Sequence, residues 1–206
     1  VLPEYHDHGP ANHPYVAMEA LFGALDQDDI VVTGNGSACV VSFQSAHLKQ
    51  GQRLWTNSGC ATMGYDLPAA VGVSAAIGPD RRVICIAGDG SIMMNIQEMQ
   101  TIAGYGLPIK VFLINNSGYV SIFQTHRNFF NGVEVGGGPK SHVTFPDFAK
   151  VSAAFGFAYA RADGHDDLAQ AIADTLPAPG PALCERIVAD QVPYAPKPGA
   201  TVHPAG

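Results

Sequence analysis

Apolar residues along the chain fall into short β-rich runs separated by stretches with helical spacing. The runs cover about 30–33, 53–56, 82–87, 109–114, 157–161 and 182–188; the helical stretches lie near 37–46, 66–77, 91–104, 117–127, 146–155 and 166–176. Arg82-Val83-Ile84-Cys85-Ile86-Ala87 and Ile109-Lys110-Val111-Phe112-Leu113-Ile114 read as strands buried on both faces. Six strands separated by helices require crossover connections. They predict an α/β fold with a doubly wound, mostly parallel six-stranded sheet and helices on both faces. Ahead of the first strand, Asn12-His13-Pro14 predicts a helix start, with Pro14 in the first turn and Val16, Leu21, Phe22 and Leu25 on the apolar face.

The segments outside this alternation set the expected boundaries. Residues 1–13 carry Pro3, Pro10, His6, His8 and His13 without periodicity and read as a solvated linker rather than a metal site. The domain proper is expected over 14–190, followed by a Pro/Gly-rich tail at 191–206 with little helix or strand. The long gap at 128–144, with Gly136-Gly137-Gly138-Pro139, reads either as a mobile lid beside a ligand or as a disordered insertion.

Composition narrows the class. With 206 residues, 47% hydrophobic and 14% charged, the chain is long enough to bury one full core. A formal charge of −7 argues against nucleic acid or an anionic membrane as the main partner. No apolar run approaches the roughly 20 residues that cross a bilayer, and the first residues do not resemble a secretory signal. Cys39, Cys60, Cys85 and Cys184 lack CxxC spacing and read as buried thiols in a reducing compartment, so a cytoplasmic location is expected.

Chemistry concentrates where two strands end. Gly88-Asp89-Gly90-Ser91 follows one buried run and Asn115-Asn116 follows the next, which delivers a carboxylate and a carboxamide to the same carboxyl edge of a parallel sheet. Glycines beside Asp89 allow close approach of the backbone, and a helix starting near Ser91 aims free N–H groups at an anion. Hard oxygen ligands beside a phosphate site suit Mg²⁺. The plainer reading makes Asp89 a helix cap and Asn116 a turn residue. Thr33-Gly34-Asn35-Gly36-Ser37-Ala38 lies at another strand-to-helix turn, where Gly36, Ser37 and Ala38 can bind a second phosphate. Its GxGxxG pattern is broken by Cys39, and no acid follows at the spacing that holds a ribose, so a dinucleotide site is disfavoured.

The two strand-end motifs, in this order and spacing, resemble the thiamine diphosphate motif of the acetolactate synthase and pyruvate decarboxylase superfamily. Asn57-Ser58-Gly59-Cys60-Ala61-Thr62-Met63-Gly64-Tyr65-Asp66-Leu67-Pro68-Ala69-Ala70 is similar to the segment of these enzymes that meets the aminopyrimidine ring. Gly118-Tyr119-Val120-Ser121-Ile122, with Thr125 and Phe129-Phe130, resembles an acetolactate synthase-like branch, and the similarity runs from about Pro14 to about Val188. The resemblance implies that Asp89, the side-chain oxygen of Asn116 and the carbonyl of Gly118 bind Mg²⁺, with Gly90 and Ser91 donating to the diphosphate. It implies that Met63 wedges between the two rings of the cofactor, bringing the 4′-amino group against the thiazolium C2, so that Met63 has the catalytic role of setting ring geometry. The carbonyl of Ala61, where the family often has glycine, would accept from that amino group, and Met94 would pack under the thiazolium. As ordinary core methionines, Met63 and Met94 need no such role.

Within that family the branch differs at two places. Pyruvate decarboxylases carry a glutamate where Ile122 stands, and acetohydroxyacid synthases place a tryptophan near Thr125, whereas the only tryptophan here is Trp55. Ile122, Phe123 and Thr125 also fit as helix packing residues, and His126 and Arg127 either meet an anionic substrate or face solvent. The superfamily also uses a glutamate from a separate pyrimidine-binding domain, and neither Glu19 nor Glu98 stands in that context. The chain is therefore expected to be the diphosphate-binding third of a larger enzyme, a fragment or one subunit, inactive by itself. The expected partners are a pyrimidine-binding domain, a 2-oxo acid and further copies in a homodimer or larger assembly. The reaction expected is carboligation or decarboxylation. The alternatives are a non-catalytic module that keeps the Mg–diphosphate pocket, and a general nucleotide-binding α/β domain.

Overall fold

The computed structural model describes residues 2–7, 9–189, 192, 194 and 195. Most of the 191–206 tail, and His8, lie outside the described residues. Six strands, β1 (Ile30–Thr33), β2 (Arg53–Trp55), β3 (Val83–Gly88), β4 (Ile109–Asn115), β5 (Ala158–Ala162) and β6 (Ala182–Ile187), form one sheet in the order β2-β1-β3-β4-β6-β5. Every pairing is parallel, so the expectation of a mostly parallel sheet holds in full. The helices are α1 (Pro14–Ala24), α2 (Gly36–Ser45), α3 (Asp66–Ile77), α4 (Asp89–Ile92), α5 (Glu98–Gly104), α6 (Val120–Phe129), α7 (Phe148–Ala154) and α8 (His165–Thr175).

Strand residues divide the core by their period of two. Val31, Ile84, Ile86, Phe112, Ile114 and Cys184 face α1, α2 and α8, while Val32, Val83, Cys85, Val111, Leu113 and Leu183 face α3, α5 and α7. Both faces are covered, as crossovers on either side of a parallel sheet require. Val16, Leu21, Phe22 and Leu25 are buried as their spacing predicts. None of the described helices is long and apolar enough to cross a membrane.

Three expectations differ from the structure. The helix expected over 91–104 is broken into α4, a 3₁₀ turn at Met93–Asn95 and α5. The turn tightens where Asn95 Nδ2 donates to the Gly64 carbonyl at 2.8 Å, docking the preceding loop against it. The solvated linker becomes a 3₁₀ turn at Pro3–Asp7 and then a buried join. Asn12 donates from its side chain to the carbonyls of Ala162 and Ile187, and the His13 ring stacks on Tyr5 with centroids 4.0 Å apart. Composition hides this because the partners of Asn12 come from the far end of the chain. Cys60 is exposed on a turn, unlike the buried thiols Cys39, Cys85 and Cys184; all four are free.

Candidate functional site

β1 leads by α2 outward to β2, whereas β3 leads in the other direction to β4. Ligands of doubly wound sheets bind at such a switch point. A cleft enclosing about 490 Å³, open mouth included, lies there. Its wall comes from Asn35-Gly36-Ser37 after β1, Met63 in the β2–α3 loop, Gly88 to Ser91 after β3, and Asn116, Gly118 and Tyr119 after β4.

Asp89 is 2% exposed. Its Oδ1 accepts the Gly90 N–H at 2.7 Å, and its Oδ2 accepts the N–H groups of Asn116 at 3.1 Å and Gly118 at 3.2 Å. The carboxylate thus gathers the main chain of the β4–α6 loop around itself and brings Asp89, Asn116 and Gly118 together. Burial nevertheless pushes its pKa up to about 6, against the pull of those amides. The other two are neutral oxygen donors. This donor set fits a hard divalent cation with diphosphate oxygens in its remaining positions. Among the described residues, no three His, Cys, Asp or Glu side chains converge on a common point, so a His- or Cys-rich metal centre has no candidate there.

Gly90 is required by shape. A Cβ there would lie 2.0 Å from Cε1 of Tyr119, whose ring covers the start of α4. Ser91 has its hydroxyl committed within the protein: Oγ donates to Asp66 Oδ2 at 2.6 Å and accepts the Gly64 N–H at 2.9 Å. Only its main chain remains for a phosphate. Asp66, fully buried, is raised from the usual carboxylate range by burial, against the Ser91 hydroxyl and the Leu67 amide. It also leaves no room for a side chain at Gly34, where a Cβ would sit 2.6 Å from Oδ2. An acid in a first helical turn reads as a dipole partner, so nothing in the sequence marked Asp66 as the clamp that joins three site loops.

The other wall holds the residues assigned to the rings. Met63 lines the cleft. Ala61 has φ of 51°, a backbone that costs a non-glycine residue strain, and its carbonyl accepts from Asn35 Nδ2 at 3.2 Å. Met94 does not line the cleft; it is 49% exposed on the 3₁₀ turn, because the break in the helix rotates it outward. Gly36 and Ser37 begin α2 within the cleft wall, while the Ala38 side chain is buried in the core and can offer only its main chain. Tyr194, missed in the sequence, places its hydroxyl 2.8 Å from Ser37 Oγ and 3.2 Å from Ser121 Oγ.

On α6, Ile122 faces the cleft, whereas the Thr125 hydroxyl donates back to the Ser121 carbonyl at 3.0 Å. Arg127 pairs with Glu134 at 3.6 Å. The 128–144 segment is in part docked: the Gly137 carbonyl accepts the Tyr119 N–H at 2.8 Å, and Phe123 packs closely against Gly137 and Gly138.

Comparison with known proteins agrees with this geometry. Residues 34–186 match the family "Thiamine pyrophosphate enzyme, C-terminal TPP binding domain". The acetolactate synthase large subunit of Parasynechococcus marenigrum is 36% identical over 179 residues, 85% of this chain and 28% of that protein. Acetolactate synthase 1, chloroplastic, of Nicotiana tabacum is 35% identical over 200 residues, 93% and 30% of the two chains. The acetolactate synthase isozyme 1 large subunit of Escherichia coli is 33% identical over 190 residues, 90% and 32%. The chain therefore spans about a third of the length of the curated relatives it matches. It belongs to the C-terminal thiamine pyrophosphate-binding domain family, in its acetolactate synthase-like part.

Proposed function

We propose that residues 14–190 form the domain that holds the Mg–diphosphate end of thiamine diphosphate in a 2-oxo acid carboligase or decarboxylase. The observation that carries this reading is the Asp89 carboxylate, buried with no cationic partner among the described residues and clasping the amides of Asn116 and Gly118 at the cleft. The Asp89 carboxylate, the Asn116 carboxamide oxygen and the Gly118 carbonyl would hold Mg²⁺. Main-chain N–H groups of Gly36, Ser37 and Ala38 at the start of α2 would meet one phosphate, and those of Gly90 and Ser91 the other. The bound cofactor supplies an electron sink for breaking or making a bond next to a carbonyl. Met63 would wedge between the two rings and the Ala61 carbonyl would accept from the amino group, which would fix where the reacting carbon sits.

Among the described residues lining the cleft, Asp89 is the one carboxylate, and the proposed site assigns it to the metal. A proton acceptor for the ring must then come from a pyrimidine-binding domain, in the same longer protein or a second subunit. The chain by itself would bind the cofactor weakly and not turn over. Carboligation is the preferred reaction, supported by the relatives' name, acetolactate synthase, in a homo-oligomer located in the cytoplasm.

Calorimetric titration tests the reading. Thiamine diphosphate should bind with Mg²⁺ and lose measurable affinity in excess EDTA. Tighter binding of Mg·ATP than of Mg·thiamine diphosphate would replace it with a nucleotide site. Adding a pyrimidine-domain partner should then give turnover of a 2-oxo acid; binding without turnover with any such partner would favour a non-catalytic module.

A further inference from the structure

The β4–α6 loop that carries Asn116 and Gly118 is held from one side by Asp89. A second support lies on its other side, beneath the sheet edge. Glu185 on β6 is 3% exposed, a costly place for a carboxylate unless its oxygens are satisfied. Its Oε1 accepts Asn115 Nδ2 at 2.6 Å, and its Oε2 accepts the Tyr159 hydroxyl from β5, with Arg161 Nη1 at 3.6 Å. Asn115 passes the connection on: its Oδ1 accepts the Ser117 N–H at 3.1 Å. Ser117 sits at φ of 57°, a left-handed conformation that a serine holds only when its surroundings fix it.

The chemistry of the pair determines which way the carboxamide points. An ionised carboxylate only accepts, so Glu185 must face the amide NH₂ of Asn115. The carbonyl of the same amide is thereby aimed at the Ser117 N–H. Reversed, the amide would set its donors against the Ser117 N–H and the loop would lose that bond. Register makes the reach possible: Glu185 lies opposite Leu113 and Ile187 opposite Asn115, which puts Glu185 and Asn115 on one face, one pair apart.

We propose that Glu185 is a positioning residue, acting through the Asn115 carboxamide to lock the Ser117 turn and so to set the Asn116 and Gly118 oxygens for a divalent cation. The lock itself is a property of the unliganded chain; its consequence for the cation rests on the magnesium site proposed above.

The test uses paired substitutions in the complete chain, with two readouts. Asn115→Asp puts two carboxylates face to face. Adding Glu185→Gln gives the new carboxylate an amide donor, leaves an amide oxygen for the Tyr159 hydroxyl, and holds the carboxylate's other oxygen where the Ser117 N–H can donate to it. In the unliganded chain, hydrogen exchange of the Ser117 amide should speed up about tenfold or more in Asn115→Asp and return close to the native rate in the double variant. Affinity for Mg·thiamine diphosphate should fall about tenfold or more and recover in parallel. If Asn115→Asp fails to fold, a folded double variant with native Ser117 exchange supports the proposal, and a double variant that also fails overturns it. Ser117 exchange within twofold of native in Asn115→Asp, or a double variant no better than the single, overturns it too. The exchange pattern with an affinity for Mg·thiamine diphosphate that is unchanged in Asn115→Asp would refute the link to the magnesium site and leave the lock standing.

Discussion

The two ends of the β1–β3 strand pair each bury an aspartate, and the two are balanced in opposite ways. At the amino end Asp29, 3% exposed, meets Arg82 from the turn before β3, with Arg82 Nη2 at 2.6 Å from Oδ2 and Nε at 2.8 Å from Oδ1. At the carboxyl end Asp89, equally buried, meets only neutral amides among the described residues. A buried charge needs both hydrogen bonds and a counter-charge to sit in its ionised form without cost. Asp29 has its counter-charge in the protein; on the proposed reading Asp89 receives one from a ligand. The first end is a structural ion pair and the second the proposed binding site.

Substitution separates the two ends most sharply. Asp89→Asn should reduce affinity for Mg·thiamine diphosphate by about a hundredfold or more, read by calorimetry. The same change should alter the stability of the unliganded fold at neutral pH by about 1 kcal/mol or less, because removing a charge whose pKa burial raises to about 6 is opposed by an amide NH₂ set against backbone N–H groups that the carboxylate accepted. Asp29→Asn should act on stability instead. It leaves Arg82 with the exposed Asp26 as its remaining carboxylate partner among the described residues and should cost about 1 kcal/mol in chemical unfolding while cofactor affinity stays within twofold.

Acidity gives a smaller signal at the same place. A carboxyl whose folded pKa is raised binds its proton more tightly in the native state, so its contribution is present below the unfolded value of 3.8 and is lost as pH rises through about 6. Unliganded native chain should therefore lose stability relative to Asp89→Asn between about pH 4 and 6. Affinity for Mg·thiamine diphosphate should climb over the same interval as the carboxylate forms. A flat difference between the two proteins across that interval would remove Asp89 as the titrating group. Smallest of all is Ala61→Gly, which relieves a left-handed alanine at the expense of chain entropy and should raise stability by about 0.5 kcal/mol.

The comparison also explains what the amino-acid pattern could and could not show. Strand runs ending in Asp89 and Asn116 are legible because a buried parallel strand is continuous in sequence and its end is marked by glycine or a polar residue. For the same reason the six strands fall within a residue or two of their expected bounds. Asp66, Glu185 and Tyr194 were not legible as site residues. Each acts through a partner 25 to 157 residues away, and such pairings leave no local period. Met94's place off the cleft wall is not legible from helical spacing, since a 3₁₀ turn, docked by Asn95 on Gly64, interrupts the expected helix there. Asn12 and His13 were read as solvated from composition alone, since their partners on β5, β6 and the 3₁₀ turn are supplied by the fold.

Crystallising the chain with thiamine diphosphate and Mn²⁺ in place of Mg²⁺, and locating the metal by its anomalous signal, tests the central assignment most directly. The account predicts one manganese peak in contact with the Asp89 carboxylate, the Asn116 carboxamide oxygen and the Gly118 carbonyl, with diphosphate oxygens completing its shell. A peak at the Asp26, Asp28 and Asp29 end of the strands, or diphosphate seated in the cleft with no metal at Asp89, would contradict it.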